Sequence, residues 1–282
     1  MARLNALFNK TFATRATTAV VFVSVMLIGI LVSPHSLWVL FGLINILSLI
    51  EFQKISTALP GNNPKHAFAE TSLVVGIGTS IYMLIIALTF GWIAVKYLLL
   101  ILPLVFTLFI FALYSHAESP FSRLSLNVTS LLWITVPLAL SLPISLIDGT
   151  FTPLKLIGII LLVWISDSFA YIVGSMIGKT PLFERISPKK TWEGSGGGLV
   201  ASLIFAFLLS LIVPEWSFSK WAVISVMAVI LGTTGDLIES LLKRSVNIKD
   251  SGTILPGHGG FLDRFDAYLF SIPFIYTYLY LF

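Results

Sequence analysis

Cysteine is absent from the 282 residues, which excludes disulfides, thiolate metal sites and cysteine nucleophiles and leaves no redox compartment to infer. Charge is almost as scarce. Only 11% of the residues are Asp, Glu, Lys or Arg, against roughly 25% in an ordinary soluble domain. That scarcity excludes both a water-soluble globule and a disordered chain. No internal repeat, low-complexity tract or long linker stands out, which speaks against an inverted-repeat transporter.

Apolar residues fill the gap. They make up 57% of the chain, and the mean hydropathy is +0.97. A membrane helix needs about 20 largely apolar residues, and long uncharged runs recur throughout. Between Arg15 and Glu51 no Asp, Glu, Lys or Arg occurs, and Ser33-Pro34-His35-Ser36 interrupts the run. Pro and Ser break a helix and satisfy a turn, so two spans are expected there. Further spans are expected at 72–90, 97–114, 128–147, 155–177, 196–213, 221–239 and 267–282, making nine in an all-α polytopic membrane protein. Arg3, Lys10 and Arg15 precede the first run as in a secretory signal, but no small-residue cleavage site follows, so that helix is expected to be retained.

With a cytoplasmic N-terminus, fourteen of the 17 basic residues fall on the inner side: Arg3, Lys10, Arg15, Lys54, Lys65, Arg123, Lys179, Arg185, Lys189, Lys190, Lys243, Arg244, Lys249 and Arg264. Lys96, Lys155 and Lys220 fall outside. The positive-inside rule favours this orientation, which puts the C-terminus outside. The short cytoplasmic ends point to a bacterial inner membrane.

Charge is also uneven along the chain. Nine of the 13 acidic residues lie between Asp167 and Asp266. Residues 1–150 therefore read as a mostly lipid-facing scaffold and 151–282 as the region carrying chemistry, within one continuous membrane unit.

At the end of the eighth expected span, Asp236, Glu239, Ser240 and Lys243 are spaced i, i+3, i+4, i+7 and share one helical face. Asp263 and Asp266 repeat the i, i+3 spacing. Two carboxylate pairs from separate helices, with no Cys and few His nearby, suit a hard cation such as Mg²⁺ better than zinc. The plainer alternative is pairing with Lys243, Arg244, Lys249 and Arg264 at the interface. It leaves unexplained His258 between Gly257 and Gly259-Gly260, where missing Cβ atoms would let backbone amides approach an anion.

Ile186 to Gly198 places Lys189, Lys190 and Thr191 just before a Gly-rich helix entry, where N–H groups and the helix dipole favour a phosphate. Headgroup anchoring through Lys and Trp192, and glycine for close helix packing, are the alternatives. Asp167 lies inside the sixth expected span, a costly place for a carboxylate unless it faces a cavity or a cation. The stretch GSMIGKT at 174–180 is one residue short of P-loop spacing and is followed by Pro181, so Gly174 and Gly178 read instead as a helix-packing face.

From Ser240 to Asp266 the chain reads S-x-x-K-R-x4-K-D-x-G-x2-L-P-x-H-G-G-x2-D-R-x-D. This arrangement closely resembles the signature of the phosphatidate cytidylyltransferases, or CDP-diacylglycerol synthases. The likeness extends to Gly235-Asp236-Leu237-x-Glu239-Ser240, to Ser187-Pro188-x-Lys190-Thr191-Trp192-Glu193-Gly194 and to Asp167-Ser168-x-Ala170-Tyr171. It covers roughly residues 160–270. One departure is Ala267, where many members carry Ser.

The resemblance implies transfer of the cytidylyl group of CTP to phosphatidic acid, with Mg²⁺ required, by a dimeric all-helical enzyme whose site faces the cytoplasm. It implies metal binding by Asp236 and Asp263, with Asp266 and Asp167 as further contributors. By the same resemblance Lys189, Lys190, Lys243, Arg244 and Arg264 offset phosphate charge, Thr191, Ser240, Lys249 and Asp250 join the substrate site, and His258 orients a phosphate or the metal shell. It leaves room for K⁺ as a second, monovalent ion, which no residue pattern here specifies. No nucleic-acid partner is expected. Rival readings are a CTP-dependent transferase with another lipid acceptor and an ion transporter that uses the acidic cluster as a relay.

Overall fold

The computed structural model describes residues 2–59, 67–115, 118–257 and 259–282, with side chains from residue 14 onward. In chain order the helices are α1 (Ala2–Leu31), α2 (Pro34–Thr57), α3 (Ala67–Thr89), α4 (Ile101–Leu113), α5 (Pro120–Ser130), α6 (Val136–Ser145), α7 (Pro153–Ile177), α8 (Trp192–Ile212), α9 (Phe218–Ser245) and α10 (Leu262–Leu281). Among the described residues, eight segments are long and apolar enough to cross a membrane, counting α4 with the 3₁₀ turn before it as one and α5–α6 as another. The ninth expected span lies in α10, which carries Asp263, Arg264 and Asp266 at its start and is not among those eight. The all-α polytopic reading holds.

Local chemistry explains the breaks. Ser33 caps α2 by accepting the Ser36 amide at 3.0 Å, Ser36 reciprocates toward the Ser33 amide, and Pro34 opens the first turn. Between α5 and α6 the helix widens into a π turn at Leu131–Thr135. Pro137 has no N–H to return to the Trp133 carbonyl, and the wider turn accommodates that loss. The all-helical expectation needs one amendment: 181–191 forms an antiparallel hairpin of β1 (Pro181–Phe183) and β2 (Ser187–Thr191).

The chain divides into two compact units, Met1–Ala139 with Ile248–Arg264, and Leu140–Asn247 with Phe265–Phe282. In the first, α2 packs on α3 around Phe41, Ile44, Leu49, Ile77 and Tyr82. The second is dominated by α7, α8 and α9, packed around Ile159, Leu209, Trp221 and Ile224. Large apolar side chains such as Phe106, Ile204 and Leu211 point outward, which would be unfavourable in water and suits hydrocarbon.

The α7–α8 contact is unusually close. A Cβ on Gly194 would lie 2.6 Å from the Ala170 carbonyl oxygen, and one on Gly198 2.6 Å from that of Ser166. Gly174 and Gly178 meet Thr191. Gly174, Gly194, Gly197 and Gly198 thus serve the packing of α7 on α8, as expected for Gly174, while Gly178 makes room for Thr191.

The first half is more than lipid-facing scaffold. Glu70 pairs with Arg123, both buried. Asn127 donates to Glu70 at 2.7 Å and accepts from Gln53 at 3.1 Å. Arg123 is therefore a buried residue of α5, not the loop cation that the positive-inside count took it for. Lys155, counted as an outer cation, is buried against Trp216 and pairs with Asp148.

Candidate active site

The face expected on α9 exists and carries an acidic cluster. Ser240 donates to Asp236 at 3.4 Å, and Lys243 pairs with Glu239 one turn below it. Asp236, Glu239 and Asp266 each present an oxygen such that all three atoms lie within 4.8 Å of one another. Glu239 and Asp266 are buried and Asp236 is half-buried.

Two features bring Asp266 to α9. A Cβ on Gly235 would lie 2.6 Å from the Asp266 carbonyl oxygen and 2.7 Å from Cβ of Phe270, so only glycine allows this approach. One turn earlier a Cβ on Gly232 would lie 3.5 Å from Cβ of Ala267. Ala267, the departure from the resembled signature, thus occupies a helix contact, and its amide donates to the Asp266 carboxylate at 2.8 Å.

Lys190, at the end of the hairpin, forms an ion pair with Asp236. Asp167 on α7 interacts electrostatically with Lys190 and Asp236, and Asp266 with Asp236, Asp167 and Lys243. Four carboxylates and two ammonium groups share this region, a formal excess of two negative charges. All the acidic donors are hard oxygens, so the donor set fits Mg²⁺ in type.

Glu239 was on the expected face but outside the expected metal set. Its i+3 spacing from Asp236 was the available signal. Lys189, Arg244, Lys249, Asp250 and Arg264 are exposed. Thr191 is the N-cap of α8 and accepts the Gly194 amide at 3.1 Å. Glu193, in the first turn of α8, accepts the amides of Lys179 and Thr180. The Gly194 amide, one of the donors that the Gly-rich helix entry had promised to a phosphate, is thus directed at Thr191.

Asp263 belongs to the first unit. There its Oδ2 accepts the amides of Ser251 and Gly260, both at 2.9 Å. Gly257 and Gly259 adopt φ of +76° and +84°, left-handed values that favour glycine. A Cβ on Gly259 would come within 2.6 Å of Asp263 Oδ2. The Gly260 amide, a candidate anion donor from sequence, is directed at Asp263. His258 lies outside the described residues.

Sequence reasoning missed two residues beside this loop. Arg15 of α1 lies against Gly257, its Cγ 2.8 Å from where a Cβ would sit. Glu51 of α2 is fully buried and accepts the Leu262 amide at 3.0 Å. A carboxylate within an apolar span was the signal for Glu51.

Comparison with known proteins agrees with the signature. The profile of the family described as "Cytidylyltransferase family" matches residues 13–282. The chain is similar to the phosphatidate cytidylyltransferase of Bacillus subtilis (strain 168), 47% identical over 121 residues that cover 43% of this chain and 45% of that protein. The protein of the same name from Staphylococcus saprophyticus is 45% identical over 117 residues, covering 41% and 45%. That of Staphylococcus haemolyticus is 46% identical over the same length and shares. The matched stretch spans less than half the length of these curated relatives.

Proposed function

The chain belongs to the cytidylyltransferase family, and we propose that it transfers the cytidylyl group of CTP to phosphatidic acid, forming CDP-diacylglycerol and pyrophosphate at the cytoplasmic face of a bacterial inner membrane. The relatives named above carry that activity in their names. The observation that carries the reading is the cluster of Asp236, Glu239 and Asp266 with Lys190 against it.

In the proposed reaction a phosphate oxygen of phosphatidate attacks the α-phosphorus of CTP. One P–O bond forms there, the bond from that phosphorus to the α,β-bridging oxygen breaks, and pyrophosphate departs with the electron pair. The nucleophile is already anionic, so no general base is required. The enzyme's main tasks are to align two polyanions and to stabilise the charge that shifts onto the leaving group.

Mg²⁺, when bound, would supply positive charge to the triphosphate oxygens. Asp236, Glu239 and Asp266 would hold it, with Asp167 adding negative potential and Asp263 retained from the family resemblance. Lys190 and Lys243 pair with Asp236 and Glu239 and thereby offset the repulsion among the clustered carboxylates. Lys189, Arg244 and Arg264 would receive phosphate oxygens. The lipid tails need not leave the bilayer, which accounts for a nucleotide-using enzyme built almost wholly of membrane helices.

The test is an assay of purified protein with labelled CTP and dioleoyl phosphatidate, with and without Mg²⁺, following lipid-soluble cytidine. CDP-lipid formed by the wild type and not by Asp236→Ala supports the reading. Absence of product with phosphatidate, or product only with another lipid phosphate, overturns it.

A further inference from the structure

Glu51 and Asp263 hold the same loop from two sides. Ser251 donates its amide to Asp263 Oδ2 at 2.9 Å and its hydroxyl to Glu51 Oε2 at 3.3 Å. Gly260 donates its amide to Asp263, and two residues on Leu262 donates its amide to Glu51. The two carboxylates thus fix both ends of the segment that carries the L-P-x-H-G-G sequence.

The glycines confirm how tight this clasp is. A Cβ on Gly260 would collide with the Ser251 hydroxyl and Glu51 Oε2, and one on Gly252 would sit 2.5 Å from Glu51 Oε1. Gly252 and Gly260 are therefore glycine because Glu51 is there. Glu51 also meets the first amide of α10, where a negative charge complements the helix dipole. It comes from the second helix of the chain, far in sequence from the signature.

We propose that Glu51 is a positioning residue for the transfer reaction: it sets the conformation of the loop at residues 251–252 and 259–263 and thereby the aim of Asp263. This rests on the reading of the loop as part of the cytidylyltransferase site. Glu51 touches no substrate in this account; it acts through the loop.

The absence of cysteine allows a direct test. A single Thr253→Cys substitution, at an exposed loop position, reports loop opening through its alkylation rate in detergent-solubilised protein. Glu51→Ala in that background should raise the rate about fivefold or more, because protection follows local opening. It should lower kcat about tenfold or more, while Glu51→Gln, which keeps an acceptor for the Leu262 amide, restores most of both. Should Glu51→Ala not fold, Ser251→Ala removes one strand of the clasp and should raise the labelling rate by a smaller factor in the same direction.

An unchanged labelling rate in Glu51→Ala, or a loosened loop with full turnover, overturns the proposal. Loosening with lost turnover, alongside a fully active Asp263→Ala, would sustain Glu51 as the loop's positioning residue and instead remove Asp263 from the reaction.

Discussion

Lys190 of β2 is ion-paired with Asp236 of α9, so the hairpin between α7 and α8 lodges a cation against the acidic cluster. Within the second unit that cluster draws on four elements: α7, β2, α9 and α10. Lys190 and a metal ion would compete for the same carboxylate.

Removing that competitor has a predictable sign. Lys190→Met raises the formal negative excess from two to three and should lower the Mg²⁺ concentration for half-maximal activity about three- to tenfold, the scale of roughly 1 kcal/mol for a partly exposed pair. The KM for CTP should rise at the same time, because a phosphate-facing cation is lost. Magnesium titrations at fixed CTP read the first effect; an unmoved midpoint would show that Lys190 does not compete.

The carboxylates themselves should behave as a set. Asp236→Asn, Glu239→Gln and Asp266→Asn are each expected to cut turnover on the order of 10²-fold, as for loss of a preorganised electrostatic group. Each should also weaken Mn²⁺ binding measured by electron paramagnetic resonance on the purified protein. Chelation with EDTA should abolish product formation and added Mg²⁺ restore it. Native Mn²⁺ affinity in all three variants would rule out this cluster as the metal site.

Helix packing makes a contrast within one short run. Gly198→Ala would drive a Cβ into the Ser166 carbonyl oxygen, and should destabilise by about 1–3 kcal/mol. Gly196 has nothing within 4 Å of a built Cβ and lies in the same helix. Gly196→Ala should be neutral or stabilising by up to about 1 kcal/mol. Thermal unfolding in detergent separates the two, and equal Tm values would refute the close contact.

Glu70 and Arg123 form a buried pair in the first unit. Arg123→Leu leaves the buried Glu70 carboxylate without its cation and should cost about 3–5 kcal/mol, whereas Glu70→Gln combined with Arg123→Leu should recover much of it. A double-mutant cycle by denaturant unfolding measures the coupling. Additive losses would mean that the two side chains act independently.

Orientation is open to the same cysteine-free background. A membrane-impermeant thiol reagent applied to the outside of intact cells should label Glu215→Cys, before α9, and spare Glu184→Cys in the hairpin. Both positions are exposed. The opposite pattern would invert the proposed topology and put the acidic cluster on the outer face.

Much of this protein is visible without coordinates. Scarce charge and long apolar runs are properties of composition, and they alone require helices in lipid, since a spanning segment must satisfy its own backbone polar groups. The turn at Ser33-Pro34 and the shared face of Asp236, Glu239, Ser240 and Lys243 follow from the geometry of a few consecutive residues, so local rules reach them. The signature from Ser240 to Asp266 is likewise read directly along the chain. Only packing decided which distant groups meet. Leu262 and Glu51 are 211 residues apart, and Asp266 reaches Asp236 because Gly235 lets two helix backbones approach. The partners of Arg123 and Lys190 were equally out of reach, because an ion pair between separate elements leaves no periodicity in the sequence and exists only once the helices have docked.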